Sequence, residues 1–278
     1  MATELALGVI TSFHNGPQEA LGAVRELGIP TVQVTYQKQL DNDEGIAQIK
    51  GALAASDIEI TAVFCHFDGE SYSDIPTVRQ TVGLVPEATR AVRVSGTHNT
   101  ALFAQKLGVD HVAAHIGFIP EDASDPQYAV LVQIVQGICD DLATRGQIYT
   151  LETGQETAAT LQRFIGDVGR KNLRVNFDPA NMILYGNDNP LEALPLLAQY
   201  IDSVHCKDGM WPTEENQLGY ETPLGEGDVN IPLWFEKLMA TGYCGPLTIE
   251  REISGEQQKQ DILKAKELLE GLVAKHTS

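Results

Sequence analysis

A (β/α)8 barrel forming a single domain is the fold this sequence predicts, and three observations predict it. Short runs of strand length alternate with stretches whose apolar residues follow helical spacing; eight such runs occur; and no Pro/Gly/Ser-rich linker interrupts the 278 residues. Alternating β and α signals imply a parallel sheet, eight units favour a closed barrel over an open one, and barrels of about 250 residues are ordinary single domains. The domain is therefore expected to occupy residues 1–278.

The runs are, in order, Glu4–Ile10, Thr31–Tyr36, Ile58–Phe67, His111–Phe118, Gln147–Glu152, Leu173–Asp178, Ile201–Cys206 and Pro246–Glu250. Between them lie helical patterns closed by glycine, the usual helix stop: Ala20, Leu21, Val24 and Leu27 precede Gly28, and Leu233, Phe235, Leu238 and Met239 precede Gly242. The longest connection, from Asp68 to Asp110, is expected to hold a loop and two helical pieces, Thr77–Ala91 and Asn99–Leu107, walling one side of a site. A last helix over about Gln257–Ala274 alternates charge with leucine and is expected on the barrel exterior.

Side chains two apart on a strand face the same way. Glu152 shares its face with Thr150, Asp178 with Asn176, His205 with Ser203 and Lys207, and Glu250 with Thr248, all suited to a barrel interior. Tyr149, Leu151, Val175, Phe177, Val204, Leu247 and Ile249 take the opposite face, where helices pack. Cys206 falls on that outer face and is assigned no chemistry.

With 38 acidic against 19 basic residues the net charge is −19, which opposes nucleic acid and anionic lipid as partners and favours a small polar ligand or a cation. The opening Met-Ala-Thr-Glu carries no targeting pattern and no apolar run reaches the roughly 18 residues of a membrane span, so a cytoplasmic location is expected. Cys65, Cys139, Cys206 and Cys244 are scattered and read as buried reduced thiols. The Leu224-Gly-Glu-Gly-Asp228 run lacks the context of a dinucleotide loop and reads as a turn placing Glu226 near the barrel mouth.

Glu152, Asp178, His205 and Glu250 each stand at or near the carboxyl end of a strand-like run, where catalytic groups of parallel barrels converge. A single acid there would serve equally well as a helix cap. With four such groups on successive strands, the unpaired carboxylates would repel one another without a cation, and three carboxylates with one imidazole suit one divalent metal ion, Mn²⁺ first, with Mg²⁺, Co²⁺ or Zn²⁺ also accommodated. Substrate contacts are expected from His66 and His115 at the ends of the third and fourth strands, and from Lys207, which either reaches substrate or pairs with a carboxylate such as Asp208. Glu156 is also counted as a substrate contact, although it could instead orient Glu152 or sit in a first helical turn. His14, Phe67 and Trp211 are further wall candidates.

The chain resembles the xylose-isomerase-like barrel superfamily, and within it the sugar-phosphate isomerase/epimerase group that includes ketose 3-epimerases, hydroxypyruvate isomerase and inosose dehydratase. The resemblance is carried by Leu151-Glu-Thr, Asn176-Phe-Asp-Pro-Ala-Asn181, Val204-His-Cys-Lys-Asp208, Pro223-Leu-Gly-Glu-Gly-Asp228 and Gly245-Pro-Leu-Thr-Ile-Glu-Arg-Glu252; the first half matches in pattern only. It implies one metal bound by Glu152, Asp178, His205 and Glu250, with the two glutamates also acting as acid and base. Where ketose 3-epimerases of the tagatose type and apurinic endonucleases place a histidine, this chain has Asn181, counted here as a substrate contact. Gly219 and Glu221 stand where the endonucleases carry an Asp-x-His pair, so a multinuclear zinc cluster is not expected.

The implied chemistry is proton transfer. A proton on carbon beside a carbonyl becomes removable once a cation polarises that carbonyl and stabilises the enediolate. Return of the proton to the opposite face gives epimerisation, return to the neighbouring carbon gives aldose–ketose isomerisation, and loss of hydroxide gives dehydration. A carbohydrate isomerase or epimerase is thus the leading expectation. A dehydratase on a keto-sugar or inosose is the alternative; an endonuclease-like hydrolase and a non-catalytic sugar-binding barrel rank lower. A homo-oligomer is compatible with all of these.

Overall fold

The computed structural model describes residues 5–277. Eight parallel strands close into a barrel: β1 (Leu7–Thr11), β2 (Thr31–Thr35), β3 (Glu59–Phe64), β4 (His111–Ala114), β5 (Ile148–Glu152), β6 (Leu173–Phe177), β7 (Ile201–Cys206) and, after a small hairpin, β10 (Leu247–Ile249). The hydrogen-bonded order is β1-β10-β7-β6-β5-β4-β3-β2. Each expected run overlaps one of these strands, β1 running one residue past its run to Thr11; Glu4, the start of the first run, lies outside the described residues.

The helices form the outer layer: α1 (Pro17–Leu27), α2 (Asp43–Ala54), α3 (Ile75–Thr81), α4 (Glu87–Leu107), α5 (Pro126–Ala143), α6 (Ala158–Val168), α7 (Pro179–Leu184), α8 (Pro190–Leu197), α9 (Ile231–Ala240) and α10 (Glu256–His276). Gly28, Gly108 and Gly169 end α1, α4 and α6 in the left-handed conformation, which costs glycine least. The outer-face residues Tyr149, Leu151, Val175, Phe177, Val204, Leu247 and Ile249 are all buried beneath this layer. The inner face is polar. Ser203 Oγ donates to Asn176 Oδ1 at 2.6 Å, and a Cβ on Gly8 would lie 2.7 Å from Thr31 Oγ1, so only glycine leaves the barrel interior room at that point.

Two connections differ from expectation. Between β3 and β4 the break falls at 82–86, so Thr77–Ala91 is not one helix, and Asn99 sits inside α4 rather than starting a helix. Gly83 explains the break: its φ is +73°, and a Cβ there would lie 2.1 Å from the Ile116 backbone, so the chain turns where it presses against the β4 loop. The second difference is an antiparallel hairpin after β7, β8 (Asp208–Met210) with β9 (Tyr220–Thr222). Asp208 anchors it. Its carboxylate accepts from the amides of Gly209, Gly225, Gly227 and Val229 at 2.9–3.1 Å. The Leu224–Asp228 turn is therefore built to wrap that carboxylate; Glu226 is exposed and does not line the mouth cavity.

All four cysteines are free thiols; Cys139 and Cys206 are buried, Cys65 half-buried and Cys244 exposed. Among the described residues, no helix is long and apolar enough to cross a membrane.

Candidate metal centre

Strand register brings Glu152, Asp178, His205 and Glu250 together. Glu152 ends β5, Asp178 follows β6, His205 lies near the end of β7 and Glu250 follows β10, so four neighbouring strands of the barrel each contribute one group. One ligand atom from each lies within 4.8 Å of every other. His205 Nδ1 is 2.9 Å from Glu152 Oε1, 3.4 Å from Asp178 Oδ2 and 3.1 Å from Glu250 Oε2. Yet His205 Nδ1, Asp178 Oδ2 and Glu250 Oε2 make no aligned hydrogen bond. Buried polar atoms left unsatisfied are costly, and here they point at one another around a common centre, the arrangement a cation satisfies.

The remaining atoms of these groups are held from behind. His205 Nε2 lies 2.8 Å from Gln33 Oε1 on β2; with the proton on Nε2 as donor to that amide oxygen, the Nδ1 lone pair faces the carboxylates, as a metal-ligating histidine requires. Asp178 Oδ1 accepts from Asn181 N at 2.9 Å and caps α7, leaving Oδ2 for the centre. Glu152 Oε1 accepts from Asn181 Nδ2 at 3.1 Å, and its Oε2 lies 3.1 Å from His115 Nε2. The other nitrogen of His115 is 3.3 Å from Gln155 Nε2, which also donates to Tyr185 Oη at 3.1 Å.

Electrostatics follow from this crowding. Burial pushes the Asp178 carboxyl up to about 6, against the pull of Lys207 and His205. Burial would also raise Glu250, but Lys207 and His205 beside it hold its carboxyl well below the usual range. Burial works to lower His205 and Lys207, and the surrounding carboxylates overcome it, holding both well above their ordinary values. Glu250 is thus held ionised and the imidazole holds a proton where a cation would take its place.

Lys207 does not pair with Asp208. Its Nζ is 2.8 Å from Glu252 Oε1 and 3.2 Å from Glu250 Oε2, and donates to Asn181 Oδ1 at 3.2 Å. Asp208 faces away because strand alternation sends neighbours to opposite sides and its own carboxylate is filled by amides. Glu156 also departs from expectation: it does not line the mouth cavity, and both carboxylate oxygens are buried without a hydrogen bond. That burial pushes its carboxyl up to about 8. Glu221 on β9, which spacing did not single out for the site, accepts from the Glu252 amide at 3.0 Å and from Arg251 Nη1 at 2.8 Å, docking the hairpin beside the centre.

A cavity of about 520 Å3 opens over the centre, lined by Glu152 and Glu250 together with His66, His115 and Asn181. Its walls include Phe67, Tyr72, Tyr185 and Leu218. His14 lies instead on two adjoining cavities, and Trp211 is 37% exposed and outside the lining. Gln33 and Gln155 carry no spacing signal in the sequence, because Gln33 lies on β2, 172 residues before His205, and Gln155 lies past the end of β5, 40 residues after His115.

The family described as xylose isomerase-like TIM barrel matches residues 21–272. A crystal structure of a xylose isomerase domain protein from Planctomyces limnophilus is 45% identical, covers 98% of each chain and superposes with a TM-score of 0.93. A solved L-ribulose 3-epimerase shares the fold at 20% identity, with a TM-score of 0.73 over 98% of this chain and 97% of that one. Among curated proteins, an uncharacterized protein of Methanocaldococcus jannaschii is 26% identical over 66% of this chain and 63% of that protein. The L-ribulose-5-phosphate 3-epimerase UlaE of Shigella boydii is 32% identical over 35% of this chain and 33% of its own length. The matched segments thus span less than two thirds of these two curated proteins.

Proposed function

The chain belongs to the xylose isomerase-like TIM barrel family, and from that membership and its site we propose that it is a divalent-metal-dependent carbohydrate isomerase or epimerase. The observation that carries the reading is the meeting of four ligand atoms within 4.8 Å, three of them without a hydrogen bond, at the floor of a cavity that Glu152 and Glu250 both line. Glu152, Asp178, His205 and Glu250 would hold the ion, and Mn²⁺ is our first choice for this oxygen-rich set, with Mg²⁺, Co²⁺ and Zn²⁺ as substitutes. A solved barrel of this kind from Mycobacterium smegmatis, 18% identical, contains magnesium. When bound, the cation would draw charge from a substrate carbonyl and so acidify the neighbouring C–H.

The residues of the chain supply the rest. Glu152 and Glu250 stand on strands three steps apart around the ring, so their carboxylates address a ligand in the cavity from different sides. One takes the proton at a carboxylate oxygen and the other gives one to the opposite face, which inverts the carbon; delivery to the adjacent carbon isomerises instead. His115 and Asn181 fix the Glu152 carboxylate, and Lys207 keeps Glu250 ionised. His66 and the aromatic walls enclose the sugar. With a net charge of −19, we take the partner to be a small carbohydrate rather than nucleic acid or a membrane, and four free thiols accord with a cytoplasmic location.

The test is solvent exchange. A panel of ketoses and inososes is incubated in D2O with the Mn²⁺-loaded protein and followed by NMR. Deuterium entering the carbon next to a carbonyl in at least one compound, and only with metal present, is the expected result; no exchange in any compound contradicts the reading.

A further inference from the structure

The mouth cavity has a charge pattern that bears on which carbohydrate enters it. Its lining includes five carboxylates, Asp68, Glu70, Glu152, Glu250 and Glu252, and among the described residues that line it there is neither arginine nor lysine. Three acids from the centre, Glu152, Asp178 and Glu250, balance a divalent cation with one negative charge to spare, and Lys207 offsets that. The lysine is committed: Nζ is 2.8 Å from Glu252 Oε1 and 3.2 Å from Glu250 Oε2, and its side chain is 1% exposed. Asp68 and Glu70 line the wall without belonging to the four-residue cluster, Asp68 exposed, Glu70 fixed by accepting from the Gly83 amide at 2.8 Å.

The adjoining cavity of about 630 Å3 shares Thr35, His66, Phe67 and Asp68 with this one and does contain two cations, Lys38 and Arg93. Arg93 is buried and donates from Nη1 to Gly83 O at 2.7 Å; its guanidinium lies 5.7 Å from the Phe67 ring centroid. Lys38 is exposed at the rim. Neither lines the chamber over the centre. Phosphate recognition uses bidentate arginine, lysine or a cluster of backbone amides, whereas a phosphate brought into this chamber meets Asp68 and Glu70, and like charges placed together act against binding.

We propose that the substrate is an uncharged polyhydroxy ketone, a free ketose, ketoside or inosose, and that Asp68 and Glu70 select against its phosphate esters. The inference rests on the carbohydrate reading above and narrows it. It separates this chain from what the name of the Shigella boydii epimerase says of that protein.

The test uses binding, so that it does not depend on turnover. The protein, kept in excess Mg²⁺ so that the ester does not strip the site, is titrated with D-fructose, D-ribulose and an inosose, and with D-fructose 6-phosphate and D-ribulose 5-phosphate, by saturation-transfer NMR and calorimetry. At least one free compound is expected to bind, and each ester to bind about tenfold more weakly than its free sugar or not at all. Asp68→Asn and Asp68→Lys are expected to narrow that ratio in turn, the lysine variant by about tenfold. Equal or tighter binding of an ester to the unmodified protein overturns the inference and leaves the isomerase reading standing. An unchanged ratio in both Asp68 variants overturns the role given to that residue. Binding of neither free sugars nor esters overturns this inference together with the carbohydrate reading.

Discussion

Asn181 donates through Nδ2 to Glu152 Oε1 at 3.1 Å, which fixes the orientation of one acid of the centre from the first turn of α7. The same amide accepts from Lys207 Nζ through Oδ1 at 3.2 Å, so its two ends cannot be exchanged without opposing donor to donor. Asn181→Ala is therefore expected to lower turnover about 10–100-fold, the usual effect of removing a group that orients a metal ligand, while metal content stays at about one ion per chain. Elemental analysis alongside the exchange assay checks it; unchanged turnover would mean that Glu152 needs no such support.

Glu152 and Glu250 should separate in role. Glutamine at either position keeps one oxygen ligand but removes the basic oxygen, so turnover should fall about 10²–10⁴-fold. For an epimerase assayed from one epimer, one variant should still wash out the substrate's α-proton while the other does not. Full activity of both variants at saturating metal would remove the acid/base assignment.

Glu156 makes stability fall with rising pH. Its carboxyl titrates near 4.5 when unfolded and at about 8 in the fold because burial disfavours the charge. A raised folded value gives a contribution that is complete below about pH 4.5, declines as pH rises toward 8 and is flat beyond. Glu156→Gln keeps the neutral form throughout, so its melting temperature relative to the parent should climb across that window and exceed it by at least about 2 °C at pH 8.5. A difference independent of pH would place the ionised carboxylate in a satisfied environment instead.

Asp208 carries the hairpin beside the site. Its carboxylate satisfies four backbone amides, and hydrogen bonds to a charged group are worth about 1.5–3 kcal/mol each, with a further cost for amides left buried. Asp208→Ala should lose about 3 kcal/mol or more in chemical denaturation. A loss under about 1 kcal/mol would show that water replaces the carboxylate freely.

Periodicity made the strands legible, and each barrel strand overlaps an expected run, β1 exceeding its run only by Thr11, because alternation of inward and outward residues is local. The same alternation brought Glu152, Asp178, His205 and Glu250 to one end. What was not legible depends on register between strands far apart in sequence: Gln33 behind His205, Gln155 behind His115, and Glu252 rather than Asp208 as partner of Lys207. Glu156 misled because spacing from Glu152 places it near the site while the bend after β5 turns it into the protein. The Gly83 break and the β8–β9 hairpin arise from contacts with Ile116 and Asp208 that have no local signal.

One measurement bears most directly on the whole account: titration of the chelator-treated protein with Mn²⁺, followed by calorimetry and melting temperature, beside His205→Ala. About one equivalent should bind, with proton release and a rise in melting temperature, and the variant should lose most of that affinity. No binding and no thermal shift with Mn²⁺, Mg²⁺, Co²⁺ or Zn²⁺ would contradict the assignment of this centre as a metal site.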